Sequence, residues 1–262
     1  MSKKEVIIAK NLQLKDLQKI IEGKILALKV PNYFSPKLYD DISKRLLTKK
    51  YEYYDYAKGV VRRYGFSFSE TEKSKKNFKH YYSNSTSNIR IIRKIFAPYL
   101  SPIDKLRLEL EEIWSAGALQ ENLHKDYKMF VGLCRVIEPH KEVLPHQDVI
   151  QWDSNNNKKA LEIKSQLTVN VYLQVPKVGG ELEIWDYQIK NKKEYEKLAK
   201  GSYGISRKII PKPKIILKPK VGDLIIFNPQ NLHCIKESDR KRITMSCFIG
   251  YRSKSKPLTY WS

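Results

Sequence analysis

Leu144-Pro145-His146-Gln147-Asp148 is the stretch on which the reading of this 262-residue chain turns. It sets an imidazole and a carboxylate two residues apart, and on a β-strand that spacing puts both side chains on one face. Two ligands pointing the same way suit a metal ion, and a third has to come from a distant part of the chain. His233 is the candidate, because it follows the apolar run Leu224-Ile225-Ile226-Phe227 and the turn Asn228-Pro229-Gln230-Asn231. In an antiparallel sandwich or barrel, strands far apart in sequence become neighbours.

The texture around this stretch supports such a sheet. After Gly117, short apolar segments alternate with turn signals: 129–137, 166–175, 181–185 after a Gly-Gly pair, 214–217, 224–227 after Gly222-Asp223, and 243–251. That pattern argues for an antiparallel sandwich or barrel. The first half reads as mainly helical. A helix is expected at 14–22 and a strand at 25–30, stopped by Pro31. Ser35-Pro36 and Ser101-Pro102 are helix starts, with proline at the first helical position. Ile103, Leu106, Leu110, Ile113 and Trp114 form an apolar stripe. Residues 69–88 are polar and lysine-rich, which predicts an exposed loop or irregular helix before a helix at 88–97. The expected organisation is one domain, 1–262: a mainly helical layer at 1–117, a β core at 118–252 with a lid-like insertion at 186–215, and a tail at 253–262.

Composition narrows the function classes. No run of 18 apolar residues is present and the start Met1-Ser2-Lys3-Lys4-Glu5 has no apolar signal core, so the expectation is a cytoplasmic protein with no membrane partner. Cys134, Cys234 and Cys247 are an odd number without metal-site spacing, and read as reduced thiols. A net charge of +22, from 50 Lys and Arg against 28 Asp and Glu, raises nucleic acid, a membrane surface or an anionic substrate as partners. The lysines are scattered in short clusters with no nucleic-acid fold motif, so a solvated face is the favoured reading.

Two imidazoles and a carboxylate on one face of an Fe(II) ion leave three positions open, enough for a bidentate 2-oxo acid and O2. Arg242 then supplies an anchor for a carboxylate. On a strand it shares its face with Thr244 and Ser246, and a guanidinium grips a carboxylate with two parallel hydrogen bonds. Lys241 is the rival, on the opposite face. His80, His124 and His140 read as structural or exposed. For the substrate, three residues stand out. Arg207 lies in the insertion and could pair with a carboxylate or phosphate. Trp152 follows Asp148 closely. Arg135 sits inside an apolar run, where burying it unpaired would cost several kcal/mol, so it meets a ligand carboxylate or points outward. Phe130, Tyr172 and Trp185 read equally as pocket wall or as core.

Pro145-His146-Gln147-Asp148, Gly179-Gly180-Glu181-Leu182, Gly222-Asp223-Leu224-Ile225-Ile226-Phe227, His233 and Arg242-Ile243-Thr244-Met245-Ser246 together resemble the Fe(II)/2-oxoglutarate-dependent oxygenase superfamily. The likeness is to its free-standing small-molecule hydroxylases and halogenases. It implies a mainly β fold with α elements, a double-stranded β-helix (jelly-roll, cupin-like) core with N-terminal helices packed against it. It further implies Fe(II) on His146, Asp148 and His233 as the catalytic centre, and 2-oxoglutarate on Arg242, with Thr244 beside it. O2 is the oxidant. Halogenating relatives carry a small residue where Asp148 stands, so the expectation is hydroxylation of a small polar metabolite, an amino acid or derivative among the candidates, with succinate and CO2 as co-products. A nucleic-acid- or nucleotide-directed dioxygenase is the alternative; its usual second arginine six residues on is replaced here by Phe248.

Overall fold

A computed structural model describes residues 5–71, 74–125, 127–155 and 157–262. The strands are β1 (Val6–Ile8), β2 (Ala27–Val30), β3 (Glu52–Tyr53), β4 (Val61–Tyr64), β5 (Ala118–Gln120), β6 (Leu133–Ile137), β7 (Val143–His146), β8 (Ser165–Gln174), β9 (Leu182–Ile184), β10 (Ile215–Leu217), β11 (Leu224–Phe227), β12 (His233–Ile235), β13 (Arg242–Tyr251) and β14 (Leu258–Trp261). The α-helices are α1 (Leu14–Ile21), α2 (Tyr39–Leu47), α3 (Lys75–Phe96), α4 (Pro102–Ile113), α5 (Ile150–Asp153), α6 (Lys158–Leu161) and α7 (Lys192–Ala199). None is long and apolar enough to cross a membrane among the described residues.

The strands form two sheets. The larger runs β1-β2-β11-β8-β13-β6-β4-β3, with β14 joining β13 to β5; the smaller runs β10-β9-β12-β7. Side chains alternate across β8. Leu167, Val169, Val171 and Leu173 enter the main hydrophobic core, and α1 and α2 pack against this strand. Gln166, Thr168, Asn170 and Tyr172 point the other way. There Tyr172, Ile225 and Phe227 of the large sheet pack on Leu182 and Ile184 of the small one, so the sheets face each other. The space between them is lined by His146, Asp148, His233 and Arg242.

Two expectations need correction. Most of the polar stretch at 69–88 belongs to one long helix, α3, whose N-cap Ser74 accepts from the Asn77 amide; Glu72 and Lys73 lie outside the described residues. Its buried residues Tyr81, Tyr82, Ser85, Ile89, Ile92 and Ile95 recur at helical spacing. The serines and asparagines between them weaken helix propensity, but tertiary packing of that face outweighs it. The N-terminal half carries α1 to α4 together with the expected strand β2, which pairs with β11, and β4, which pairs with β6 and widens the large sheet. Residues 258–261 are a buried strand rather than part of a tail. Ser262 Oγ accepts from the Gly132 and Leu133 amides, and its backbone oxygen accepts from the Tyr81 hydroxyl at 2.8 Å. The three cysteines are buried free thiols.

Candidate metal centre

His146 ends β7 and His233 begins β12. The antiparallel register places them directly opposite each other, with ring centroids 4.2 Å apart. Asp148 follows β7, where its amide donates to the Pro229 carbonyl at 3.0 Å. Its carboxylate oxygens lie 4.0 Å from His146 Nε2 and 3.6 Å from His233 Nε2. The three ligand atoms fall within 4.8 Å of one another, the spread of a single ion's coordination shell.

The donor chemistry fits a divalent metal. Each imidazole has its Nδ1 against a backbone carbonyl, Leu144 O at 2.8 Å and Asn231 O at 3.0 Å. A carbonyl only accepts, so the proton sits on Nδ1 and the Nε2 lone pair turns inward. Burial, helped by the neighbouring His233, pushes the His146 imidazole down to about 4, which keeps it neutral at physiological pH. Burial alone would raise the Asp148 carboxyl, but the two imidazoles and Arg135 outweigh it and hold it well below the ordinary carboxylate range. The donor set is two imidazole nitrogens and one carboxylate, with the rest of the shell open to the cavity.

That cavity is about 370 Å³ and is walled by both sheets and by α5 and α7. Arg242 also lines it, buried to 2% exposure. Its Nη1 donates to the Gly180 carbonyl at 3.1 Å and its Nη2 to the Tyr172 hydroxyl at 3.1 Å. Its Nε is buried with no hydrogen-bond partner among the described residues. A buried orphan N–H is costly, and a carboxylate entering the cavity beside Thr244 would satisfy it. The Gly179-Gly180 turn explains its own composition: Gly179 has φ +75°, and a Cβ there would stand 1.9 Å from the Glu237 carbonyl oxygen. The rival Lys241 instead faces Glu138 at the surface.

The structure sorts the remaining sequence candidates. Trp152 and Arg135 line the cavity. Arg207 does not. It binds Glu142 at 3.1 Å and Glu183 at 2.5 Å, tying the insertion to the outer side of the small sheet. The insertion itself reaches the site through α7 and the segment behind it, with Lys192, Tyr195, Glu196 and Tyr203 in the wall. Phe130 and Trp185 are core residues, and Tyr172 acts through Arg242. Tyr54, Thr168 and Asn170 also line the cavity and are absent from the sequence candidates. For the latter two a signal existed: polar side chains on every second position of an otherwise apolar strand.

Fold, triad and buried arginine define a 2-oxoglutarate-dependent non-haem Fe(II) oxygenase. Residues 8–262 match the model of the carrier-protein-independent halogenase WelO5, and the chain belongs to that family. It is 31% identical over 204 residues to leucinostatins biosynthesis cluster protein S of Purpureocillium lilacinum, covering 74% of this chain and 80% of that protein. It is 26% identical over 135 residues to an L-gamma-glutamyl-L-propargylglycine hydroxylase of Streptantibioticus cattleyicolor, a match that spans 51% of this chain and 48% of the relative. Among solved structures, an N-substituted L-amino acid dioxygenase from Burkholderia ambifaria superposes with a TM-score of 0.66 at 16% identity, over 95% of this chain and 91% of its own.

Proposed function

We propose that this chain hydroxylates an unactivated C–H bond of a small polar metabolite, an amino acid or a derivative of one, with succinate and CO2 as co-products. The observation that carries the reading is Asp148. Its carboxylate stands within the ligand set of both imidazoles, where a halogenating enzyme would need an open position for halide. The relative named for hydroxylating a γ-glutamyl amino acid supports the same outcome. We read the two facing sheets as a double-stranded β-helix core of one oxygenase domain, with α1 to α4 as its N-terminal layer.

In this reading His146, Asp148 and His233 hold Fe(II), while Arg242 and Thr244 hold the far carboxylate of 2-oxoglutarate. Together the metal, 2-oxoglutarate and O2 supply a two-electron oxidation: decarboxylation to succinate and CO2 takes up one oxygen atom and the substrate C–H bond receives the other. The chain positions these partners. The Leu144 and Asn231 carbonyls fix the imidazole rings by holding their Nδ1 protons, and the Tyr172 hydroxyl and Gly180 carbonyl fix the plane of the Arg242 guanidinium.

The insertion closes the site and braces it. The Tyr203 hydroxyl accepts from the Leu144 amide at 3.0 Å and the Ile205 amide donates to the Pro145 carbonyl at 2.7 Å, both on the strand that carries His146. Gln147 Oε1 accepts from the Ile189 amide at 2.9 Å. Tyr195 and Trp152 meet with ring centroids 5.7 Å apart, and this contact helps shut water from the cavity. The test is a screen of amino acids and their acylated derivatives for compounds that stimulate succinate release. Mass spectrometry in chloride buffer should show products gaining one oxygen. Chlorinated product would reject hydroxylation.

A further inference from the structure

The cavity contains a second guanidinium that neither the metal triad nor the 2-oxoglutarate anchor uses. Arg135 comes from β6, in register with Thr244 of β13. Its Nε donates to the Tyr54 hydroxyl at 3.0 Å and its Nη1 to Ser246 Oγ at 2.8 Å. Tyr54 and Ser246 are themselves buried, so the guanidinium plane is held on two sides. These bonds engage Nε and Nη1, and the side chain borders the cavity.

Charge balance says what this group is for. The charged side chains that the sheets and the His146–Asp148 segment bring to the cavity are Arg135, Arg242 and Asp148; Lys192, Asp153 and Glu196 come from the helices that cover it. Fe(II) and doubly ionised 2-oxoglutarate cancel, and Asp148 offsets one arginine. Lys192 and Asp153 carry opposite charges and Glu196 is exposed to solvent, so among the groups the sheets fix one positive charge is left, on a guanidinium in a low-dielectric site where an uncompensated charge is costly. A neutral ligand would leave it so. The walls near it, including Tyr54, Tyr56, Val61, Ile137 and Val143, are largely apolar or aromatic.

We propose that Arg135 binds a carboxylate of the primary substrate through Nη2, so that the substrate is a monocarboxylic acid whose apolar body lies against the tyrosine-lined wall. The inference rests on the iron- and 2-oxoglutarate-dependent reading above and deepens it. Arg135 selects the substrate, Arg242 the co-substrate, and the two carboxylate subsites lie on neighbouring strands of one sheet. The arrangement explains why Ser246, on the same face of β13 as Arg242 and Thr244, is turned to Arg135 rather than to 2-oxoglutarate.

The test uses protein loaded anaerobically with Fe(II) and 2-oxoglutarate, titrated by calorimetry with hexanoate, 3-phenylpropionate and N-acetyl-L-leucine, each against its primary amide. At least one acid should bind ten or more times tighter than its amide. Arg135→Met should erase that difference and Arg135→Lys should keep part of it, while 2-oxoglutarate affinity stays within threefold in both. Equal binding of acids and amides across the series, or no binding of any acid, overturns the proposal. So does a tenfold loss of 2-oxoglutarate affinity in both variants, which would place Arg135 on the co-substrate. Absence of the Fe(II)–2-oxoglutarate absorption in the wild-type protein would instead refute the underlying reading.

Discussion

The Arg242 guanidinium lies over the Tyr172 ring, 4.7 Å from its centroid, and donates Nη2–H to the hydroxyl of the same residue. Tyr172 therefore sets the direction in which the remaining N–H groups point. Tyr172→Phe keeps the ring and removes the hydroxyl. One hydrogen bond to a charged group is worth about 1.5 kcal/mol, so 2-oxoglutarate affinity should fall roughly tenfold with Fe(II) affinity unchanged. Anaerobic titration of 2-oxoglutarate into the iron-loaded variant measures this; unchanged affinity would mean that Arg242 needs no such brace.

Asp148→Gly separates metal binding from reaction outcome. Losing a ligand should weaken Fe(II) binding by about 100-fold or more, at or beyond the effect of losing an outer-shell partner. Hydroxylation should be abolished or strongly reduced even at saturating iron. The vacated position admits chloride, so product mass in chloride buffer is the second readout. Hydroxylation at the parent rate would show that Asp148 is not a ligand.

Arg207→Ala should act on stability and leave substrate recognition alone. Arg207 is a main partner of Glu183, which is 2% exposed, and removing it leaves that carboxylate with Lys236 at 3.5 Å and the Cys234 thiol. Arg207 is itself partly exposed, so the expected loss is about 1–3 kcal/mol, below that for breaking a fully buried pair. Thermal unfolding should shift down while substrate KM holds. A raised KM at unchanged stability would return Arg207 to the site.

Acid sensitivity should have an identifiable contributor in Asp104. Burial pushes its carboxyl up, but hydrogen bonds from Arg93 and Ser101 and the charge of Arg107 outweigh this and hold it below 3.8. A lowered folded-state value stabilises above the unfolded value and is lost as pH falls through the folded one. Asp104→Asn should therefore cost about 1 kcal/mol at pH 7, a modest figure because Arg93 is half exposed. The gap between variant and parent should shrink below pH 3.8. A gap independent of pH would assign the effect to packing.

The pairing of His146 with Asp148 and of Arg242 with Thr244 was legible because local spacing encodes it, two residues in the first case and strand alternation in the second, and His233 was legible from the apolar run and turn before it. Helix α4 was legible for the same reason, through its Ser-Pro start and apolar stripe. What escaped depends on distant contacts. The serine-rich turns of α3 read as loop or irregular helix because its burial against the core, through Tyr81 and Ser262, joins opposite ends of the chain. The short strand at 258–261 gives no pattern until β13 and β5 flank it. Arg207 was a plausible substrate residue only while Glu183 and Glu142 were not known to meet it. Arg135 could equally have pointed outward, and the partners Tyr54 and Ser246 turn it to the cavity.

The most direct measurement concerns the triad itself. Fe(II) and 2-oxoglutarate added without oxygen should produce the weak visible charge-transfer band of the chelated metal in the wild-type protein, and His146→Ala should lack it. No band in the wild-type protein, or the same band in both, would contradict the placement of iron on His146, Asp148 and His233.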